Sequence, residues 1–144
     1  MGAAGLFEVF ESRGSMTAAT DALRSLYSAF ATGDGDALGR LIGDTHWVEA
    51  SGGPYGGVYN GLGEVAENVF GPIGRDVRNF TAIPDEILPV GDDRAIALGF
   101  YRGETDAGPL ETRFAHLATV SDGRITHFEQ FTDTHEWQKA VRRA

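Results

Sequence analysis

Glu49 stands two residues after Trp47 in the stretch His46-Trp47-Val48-Glu49-Ala50. In an extended strand such residues share a face, so the carboxyl and the indole point the same way. A carboxylate held against an indole loses water, and its pKa rises toward the range in which it takes a proton near neutral pH. A carboxylate on the surface or between subunits fits the same spacing. His116 lies in the mostly apolar run 114–120, where alternation places Phe114, His116, Ala118 and Val120 on one face. An imidazole there is either a proton-transfer group lining a pocket or a hydrogen-bonded core residue. Tyr27 falls on the apolar face of a helix, where its hydroxyl needs a partner at the edge. Gln130 and Asp133 offer an amide and a carboxylate that would orient a ligand or a water, although Asp133 equally suits a cap on the turn through Thr134 and His135.

Around these groups Trp47, Phe100, Phe114 and Phe128 are expected to form core or pocket wall. Tyr55 and Tyr59, on a Gly-rich loop, read as lid residues or as packing over a sheet edge. His46, His127 and His135 lack metal-ligand spacing, and Asp34 with Asp36 lacks the rest of a calcium loop. No Ser occupies a nucleophile-elbow context, and the absence of Cys excludes a thiolate nucleophile or a disulfide. The expectation is chemistry without metal or cofactor.

The chain has 144 residues, room for one core, with 12 Lys and Arg against 21 Asp and Glu for a net charge of -9. Such a surface repels nucleic-acid phosphates and anionic membranes. No apolar run approaches the ~20 residues of a membrane span, and the amino terminus lacks the pattern of a secretory signal, so a cytoplasmic protein is expected. Asn79-Phe80-Thr81 is then a chance sequon. Gly14-Ser15-Met16 looks like a cloning junction, which divides the chain into a tag or disordered extension over 1–15 and one domain over 16–144.

The elements that must position the candidates change period halfway along. Leu23, Leu26, Tyr27 and Phe30 recur at helical spacing after a cap at Thr17 or Thr20, and Gly33-Asp34-Gly35 ends that helix. Asp36 is expected to cap a second helix with Ala37, Leu38, Leu41 and Ile42 inside. A short strand over 46–50, a glycine-crowded loop over 52–61 and a third helix over 63–70, stopped by Gly71-Pro72, follow. Strands are predicted over 80–89, 94–103, 110–120 and 125–132, with turns at Gly91-Asp92-Asp93, Asp106-Ala107-Gly108-Pro109 and Ser121-Asp122-Gly123. The class is α+β, with one sheet face buried against helices.

Several strings in this order resemble the ketosteroid-isomerase-like, or nuclear transport factor 2-like, superfamily. They are Leu26-Tyr27-Ser28-Ala29-Phe30 running into Gly33-Asp34, Trp47-Val48-Glu49 before the Gly-rich loop, Ser121-Asp122-Gly123-Arg124-Ile125 and Gln130-Phe131-Thr132-Asp133. The resemblance covers 17–137 and implies a cone: about three N-terminal helices packed on a strongly curved, mostly antiparallel sheet, whose other face serves a homodimer. It also implies roles. The isomerases pair a carboxylate base with a Tyr hydroxyl and a protonated carboxyl that donate to an oxyanion. Tyr27 matches the tyrosine and His116 the second donor. The base position falls on Ala50 without a gap and on Glu49 with a one-residue loop deletion, and Glu49 is favoured because loops absorb deletions.

The last strand is also similar to that of the limonene-epoxide hydrolases, but Gln130 stands where their Asp is expected, and Glu104 where their Arg is. The superfamily's polyketide cyclases offer a further likeness, with His116 and Asp133 as the acid/base pair. The resemblance therefore implies a cofactor-independent isomerase or cyclase acting on a small hydrophobic or carbonyl-containing ligand. A non-catalytic ligand-binding protein and an epoxide-hydrolase-like enzyme are the alternatives.

Overall fold

Thr17 and Thr20 open the fold. In the computed structural model, which describes residues 17–141, Thr17 Oγ1 accepts the Thr20 N–H at 3.1 Å and Thr20 Oγ1 accepts the Thr17 N–H at 3.0 Å. This reciprocal box satisfies two otherwise orphaned donors at the start of α1 (Ala18–Thr32). Ala19, Leu23, Leu26 and Tyr27 form its buried stripe, and Gly33, left-handed at φ 67°, ends it. Asp34, rather than Asp36, caps α2 (Gly35–Ile42) by accepting the Ala37 N–H at 3.0 Å. Asp36 sits in the first turn, where a negative charge still suits the helix dipole. The extension expected over 1–15 lies outside the described residues.

The third helical stretch continues past Gly71-Pro72. α3 (Gly61–Val65) passes through a π-helical turn (Ala66–Phe70) into α4 (Gly71–Asp76). There the Gly71 N–H reaches the Ala66 carbonyl five residues back. The wider turn carries the chain past Pro72, which has no N–H to give, instead of stopping it.

The sheet contains β1 (His46–Glu49), β2 (Gly57–Asn60), β3 (Arg78–Val90), β4 (Arg94–Thr105), β5 (Gly108–Ser121) and β6 (Arg124–Thr132). Its spatial order is β2-β1-β6-β5-β4-β3, and every pair is antiparallel except β1 with β6. β2 corrects the expectation of an uninterrupted loop over 52–61: Gly57–Asn60 pairs along β1 as an edge strand, with Tyr59 opposite Trp47. Register shifts at Arg78/Thr81, Pro84/Glu86 and Thr119/Val120 bend the long strands, as an extra residue on one side of a ladder does. The helices fill the concave side. There Ala95, Ala97 and Tyr101 of β4 meet Leu110, Phe114, His116 and Ala118 of β5 and Phe128 of β6, all buried. α5 (Thr134–Ala140) then packs buried Trp137 edge-on against Tyr101, with centroids 5.2 Å apart.

On the convex side, register aligns one row across all six strands: Leu88, Ile96, Leu117, Glu129, Val48 and Val58. Among the described residues no helix is long and apolar enough to cross a membrane.

Candidate active site

Parallel pairing of β1 with β6 sets Trp47 beside Phe128, and their rings stack at 3.8 Å with planes 14° apart. Two residues on, Glu49 points to the same inner side and is only 5% exposed. The Trp47 indole N–H donates to Glu49 Oε1 at 2.8 Å. Burial pushes the Glu49 pKa up to about 7, although hydrogen bonds from Trp47 and Gln130 pull it down. Desolvation wins because two neutral donors replace only part of the hydration a carboxylate has in water. Of the two positions open for the base, Glu49 is the one inside. Ala50 turns its N–H to Gln130 Oε1 at 3.1 Å and so fixes which way the amide faces.

Gln130 Nε2 donates to the Tyr101 hydroxyl at 2.8 Å. That hydroxyl lies 2.6 Å from His116 Nε2, and the Tyr27 hydroxyl lies 2.6 Å from His116 Nδ1. Antiparallel register puts Gln130 directly opposite His116 and brings Tyr27 to them from α1. Phe114 stacks on His116 at 4.1 Å. Burial lowers the His116 pKa to about 3, so the imidazole is neutral near pH 7. Burial likewise raises Tyr27 and Tyr101 well above an ordinary phenol, with the Glu49 charge adding to the effect at Tyr101. Both tyrosines therefore remain hydrogen-bond donors across the physiological range.

These groups meet at a cavity of about 380 Å³ lined by Tyr27, Trp47, Glu49, Tyr101, His116 and Gln130, with the remaining wall supplied mainly by apolar side chains such as Phe70 and Phe80. A larger, open groove between α1, α2 and the β5–β6 turn is lined by Ser25, Asp34, Arg40 and Arg124, with no buried ionisable group. No group of three potential metal ligands occurs among the described residues.

Other sequence candidates stand outside the cavity. Phe100 occupies the convex face, where Arg102 and Arg113 each lie 4.4 Å from its ring, because the inward residues of β4 are the odd-numbered ones. Asp133 is exposed and not joined to His116; its carboxylate accepts the N–H groups of His135 at 3.1 Å and Glu136 at 3.2 Å as the cap of α5. Tyr55 donates to Asp76 Oδ2 at 2.8 Å, and Tyr59 reaches the Tyr55 carbonyl at 2.8 Å, so both fasten the Gly-rich loop instead of covering the cavity. Phe114 backs His116 from behind. Tyr101 is the residue that sequence reasoning missed. Its signal was the hairpin at 105–108: a two-residue turn makes an even-numbered inward face on β5 demand an odd-numbered one on β4.

No family model and no curated protein matches the chain. Among solved structures, an NTF2-like protein from Burkholderia thailandensis is 31% identical over 85% of this chain and 96% of its own, with a TM-score of 0.77. The chain belongs to the NTF2-like family. A second NTF2-like protein, of unknown function and from Burkholderia pseudomallei, is 26% identical over 89% of this chain and 100% of its own, with a TM-score of 0.78. TerC, co-crystallized with polyporic acid, shares the fold at 23% identity and a TM-score of 0.74, over 85% of this chain and 97% of its own. NTF2-like membership accounts for the cone and for a space between helices and sheet. It does not choose a reaction, because one fold hosts many functions.

Proposed function

We propose that this NTF2-like protein is an enzyme of the isomerase or cyclase type, performing cofactor-independent acid/base chemistry on a small carbonyl-containing or cyclic substrate. One observation carries the reading: Glu49 is buried in the wall of a mainly apolar cavity with its pKa pushed up to about 7, and Tyr27 lines that same cavity. A carboxyl poised there is part ionised at neutral pH and serves as base and then as acid.

In the proposed step Glu49 takes the proton from a carbon next to a carbonyl. The C–H bond breaks, its electron pair forms a carbon–carbon double bond while the carbonyl π pair moves onto oxygen, and Tyr27 donates a hydrogen bond to the enolate so formed. Where the substrate is a β,γ-unsaturated ketone, the protonated Glu49 returns its proton to the far end of the dienolate, which completes an isomerisation; otherwise the enolate carbon attacks a second carbonyl of the same molecule, whose oxygen takes the proton back from Glu49, which completes a cyclisation. Base assistance is worth ~10²- to 10⁴-fold and an oxyanion donor ~10²- to 10³-fold. Epoxide hydrolysis is disfavoured by Gln130, whose amide is committed to Ala50 and Tyr101, and by Asp106, the residue that could match the other Asp of the limonene-epoxide hydrolases, which instead pairs with Arg78 at 2.9 Å on the exposed hairpin.

The test is solvent deuterium exchange into a panel of cyclic and aryl ketones and lactones. Glu49→Gln should slow exchange at least ~10²-fold and Tyr27→Phe by a similar factor. A substrate turned over equally well by both variants overturns the assignment. Ligands that raise the melting temperature without exchange identify a binding protein instead. We also propose a cytoplasmic homodimer joined through the convex face, a reading supported by the apolar surface there, where Leu88 is 45% and Phe131 49% exposed beside half-buried Ile96, Leu98 and Leu117.

A further inference from the structure

Among the described residues Glu49 is the only Asp, Glu, Lys or Arg in the cavity wall. Every described Lys and Arg is exposed, and none contributes to that wall. The polar groups around Glu49 are uncharged. Trp47 of β1 and Gln130 of β6 donate to it, while Tyr59 of β2 and Tyr101 of β4 hold their protons because of burial and then because of its charge. Burial also keeps Tyr27 of α1 protonated and His116 of β5 neutral. The π-helical turn and α4 bring Val69, Phe70, Ile73 and Gly74 to the wall, none of them ionisable.

A cavity of about 380 Å³ is near the small end of ligand sites, ~300–1,000 Å³, so every part of an enclosed ligand is close to Glu49. Trp47 lies flat on Phe128 and edge-on to Phe70 at 5.6 Å, and such a wall suits the face or edge of a ring. A second negative charge in this space has no cation to balance it. Hydrogen bonds from the tyrosines offset part of its desolvation, but two like charges in one dry site force one of the pair to keep a proton. Where Glu49 starts ionised, an anion therefore binds together with one proton, whichever of the two groups holds it. Glu49 is already only 5% exposed, so an uncharged ligand strips little more water from it and takes up almost no proton. A cation would pair with Glu49 and hold it ionised, withdrawing the base that the proposed function needs.

We infer that Glu49 sets the substrate class by charge: the cavity takes an uncharged planar ring compound carrying a carbonyl, and it admits the corresponding free acid only together with a proton. Calling the ligand a substrate rests on the proposed function; the charge rule rests on the cavity wall. Within that function the rule narrows the substrates to ketones, lactones and esters, and sets aside carboxylates and phosphate esters enclosed in the site. Glu49 is then a specificity-determining residue as well as the base.

The experiment is isothermal titration of the full chain, from about pH 6 to about pH 8.5, with two ligands of nearly equal shape, 2-acetylnaphthalene and 2-naphthoate. The ketone should bind with a Kd that is nearly flat with pH. The naphthoate, ionised throughout, should weaken about 10-fold per pH unit above 7, about 30-fold by pH 8.5, because only the protonated fraction of Glu49 is competent. Repeating the titration near pH 8 in buffers of different ionisation enthalpy should report about one proton taken up with naphthoate and almost none with the ketone. Glu49→Gln should flatten the naphthoate series. No other group in the wall supplies such a slope, since His116 is held down to about 3 and the tyrosines are raised above an ordinary phenol. Naphthoate that binds the wild type equally well at both ends of the range, or a slope that survives in folded E49Q, overturns the inference. If E49Q does not fold, the wild-type slope and proton count decide. A ketone that gives no binding at the limit of its solubility also overturns it, because the wall then takes no ring. A ketone that binds by this rule but exchanges no deuterium removes the proposed function and leaves the charge rule standing. Tight naphthoate binding at pH 8.5 removes the charge rule and leaves the exchange assay to judge the base.

Discussion

Glu49→Gln should change how stability depends on pH, by an amount that follows from burial alone. The Glu49 carboxyl holds its proton up to about pH 7 in the folded protein, against 4.5 for an unperturbed Glu. Its stabilising contribution is therefore complete below about pH 4.5, is lost as pH rises through 7, and is constant above that. At about 1.4 kcal/mol per pH unit, the full loss is about 3 kcal/mol. His116 works in the opposite sense. Its folded value of about 3 lies below the ordinary 6.5, so its contribution is complete above about pH 6.5 and is lost as pH falls. In the wild type the two slopes oppose each other between about pH 4.5 and 6.5, and stability should vary little there. The Gln variant keeps only the histidine slope. Urea unfolding of both proteins from about pH 5 to about pH 8 should show the variant gaining about 2.5 kcal/mol relative to wild type across the range. Any constant offset from the new amide facing Gln130 drops out of this comparison. A difference that stays flat with pH refutes the claim that Glu49 is desolvated, and with it the claim that it is tuned as a base.

Thr45 is 1% exposed and its hydroxyl has no hydrogen-bond partner among the described residues, so Thr45→Val should raise stability by about 1 kcal/mol in urea unfolding, with activity unchanged. Gly99→Ala should have the opposite sign. A Cβ there would lie 2.7 Å from Pro84 Cα and 2.6 Å from Phe114 Cζ at the bulge of β3, costing at least about 2 kcal/mol and lowering the melting temperature accordingly. Leu117→Glu, in the middle of the convex row, should shift light scattering at micromolar concentration from dimer to monomer; a wild-type protein that scatters only as a monomer removes the dimer.

The fold was legible because its signals are local. The stripe of Leu23, Leu26 and Tyr27 and the turn residues between β3, β4, β5 and β6 each specify their element without help from a distant part of the chain. The helical course through Pro72 was not legible, because a π turn depends on packing around Val69 and Ile73 that no local preference announces. The site divides along the same line. Alternation on β5 placed His116 inward, but no periodicity over 46–50 separates Glu49 from Ala50: β1 has only four residues, and its phase comes from parallel pairing with β6. Phe100 and Tyr101 differ by a single step of phase on β4, and a reading by residue type selects the wrong one of two adjacent aromatics. Counting back across the hairpin settles it, since Thr105 opposite Gly108 forces Tyr101 opposite Thr112, which shares the inward face with His116. The same arithmetic across the β5–β6 turn would miscount by one, because the register shifts between Thr119 and Val120. A tight turn transmits side-chain direction from one strand to the next, while a bulge cancels it. Chemistry built across several strands is therefore legible only as far as the last unbulged turn, and in this chain that limit falls between Tyr101, which could have been found, and the pairing of Gln130 with His116, which the ladder itself had to supply.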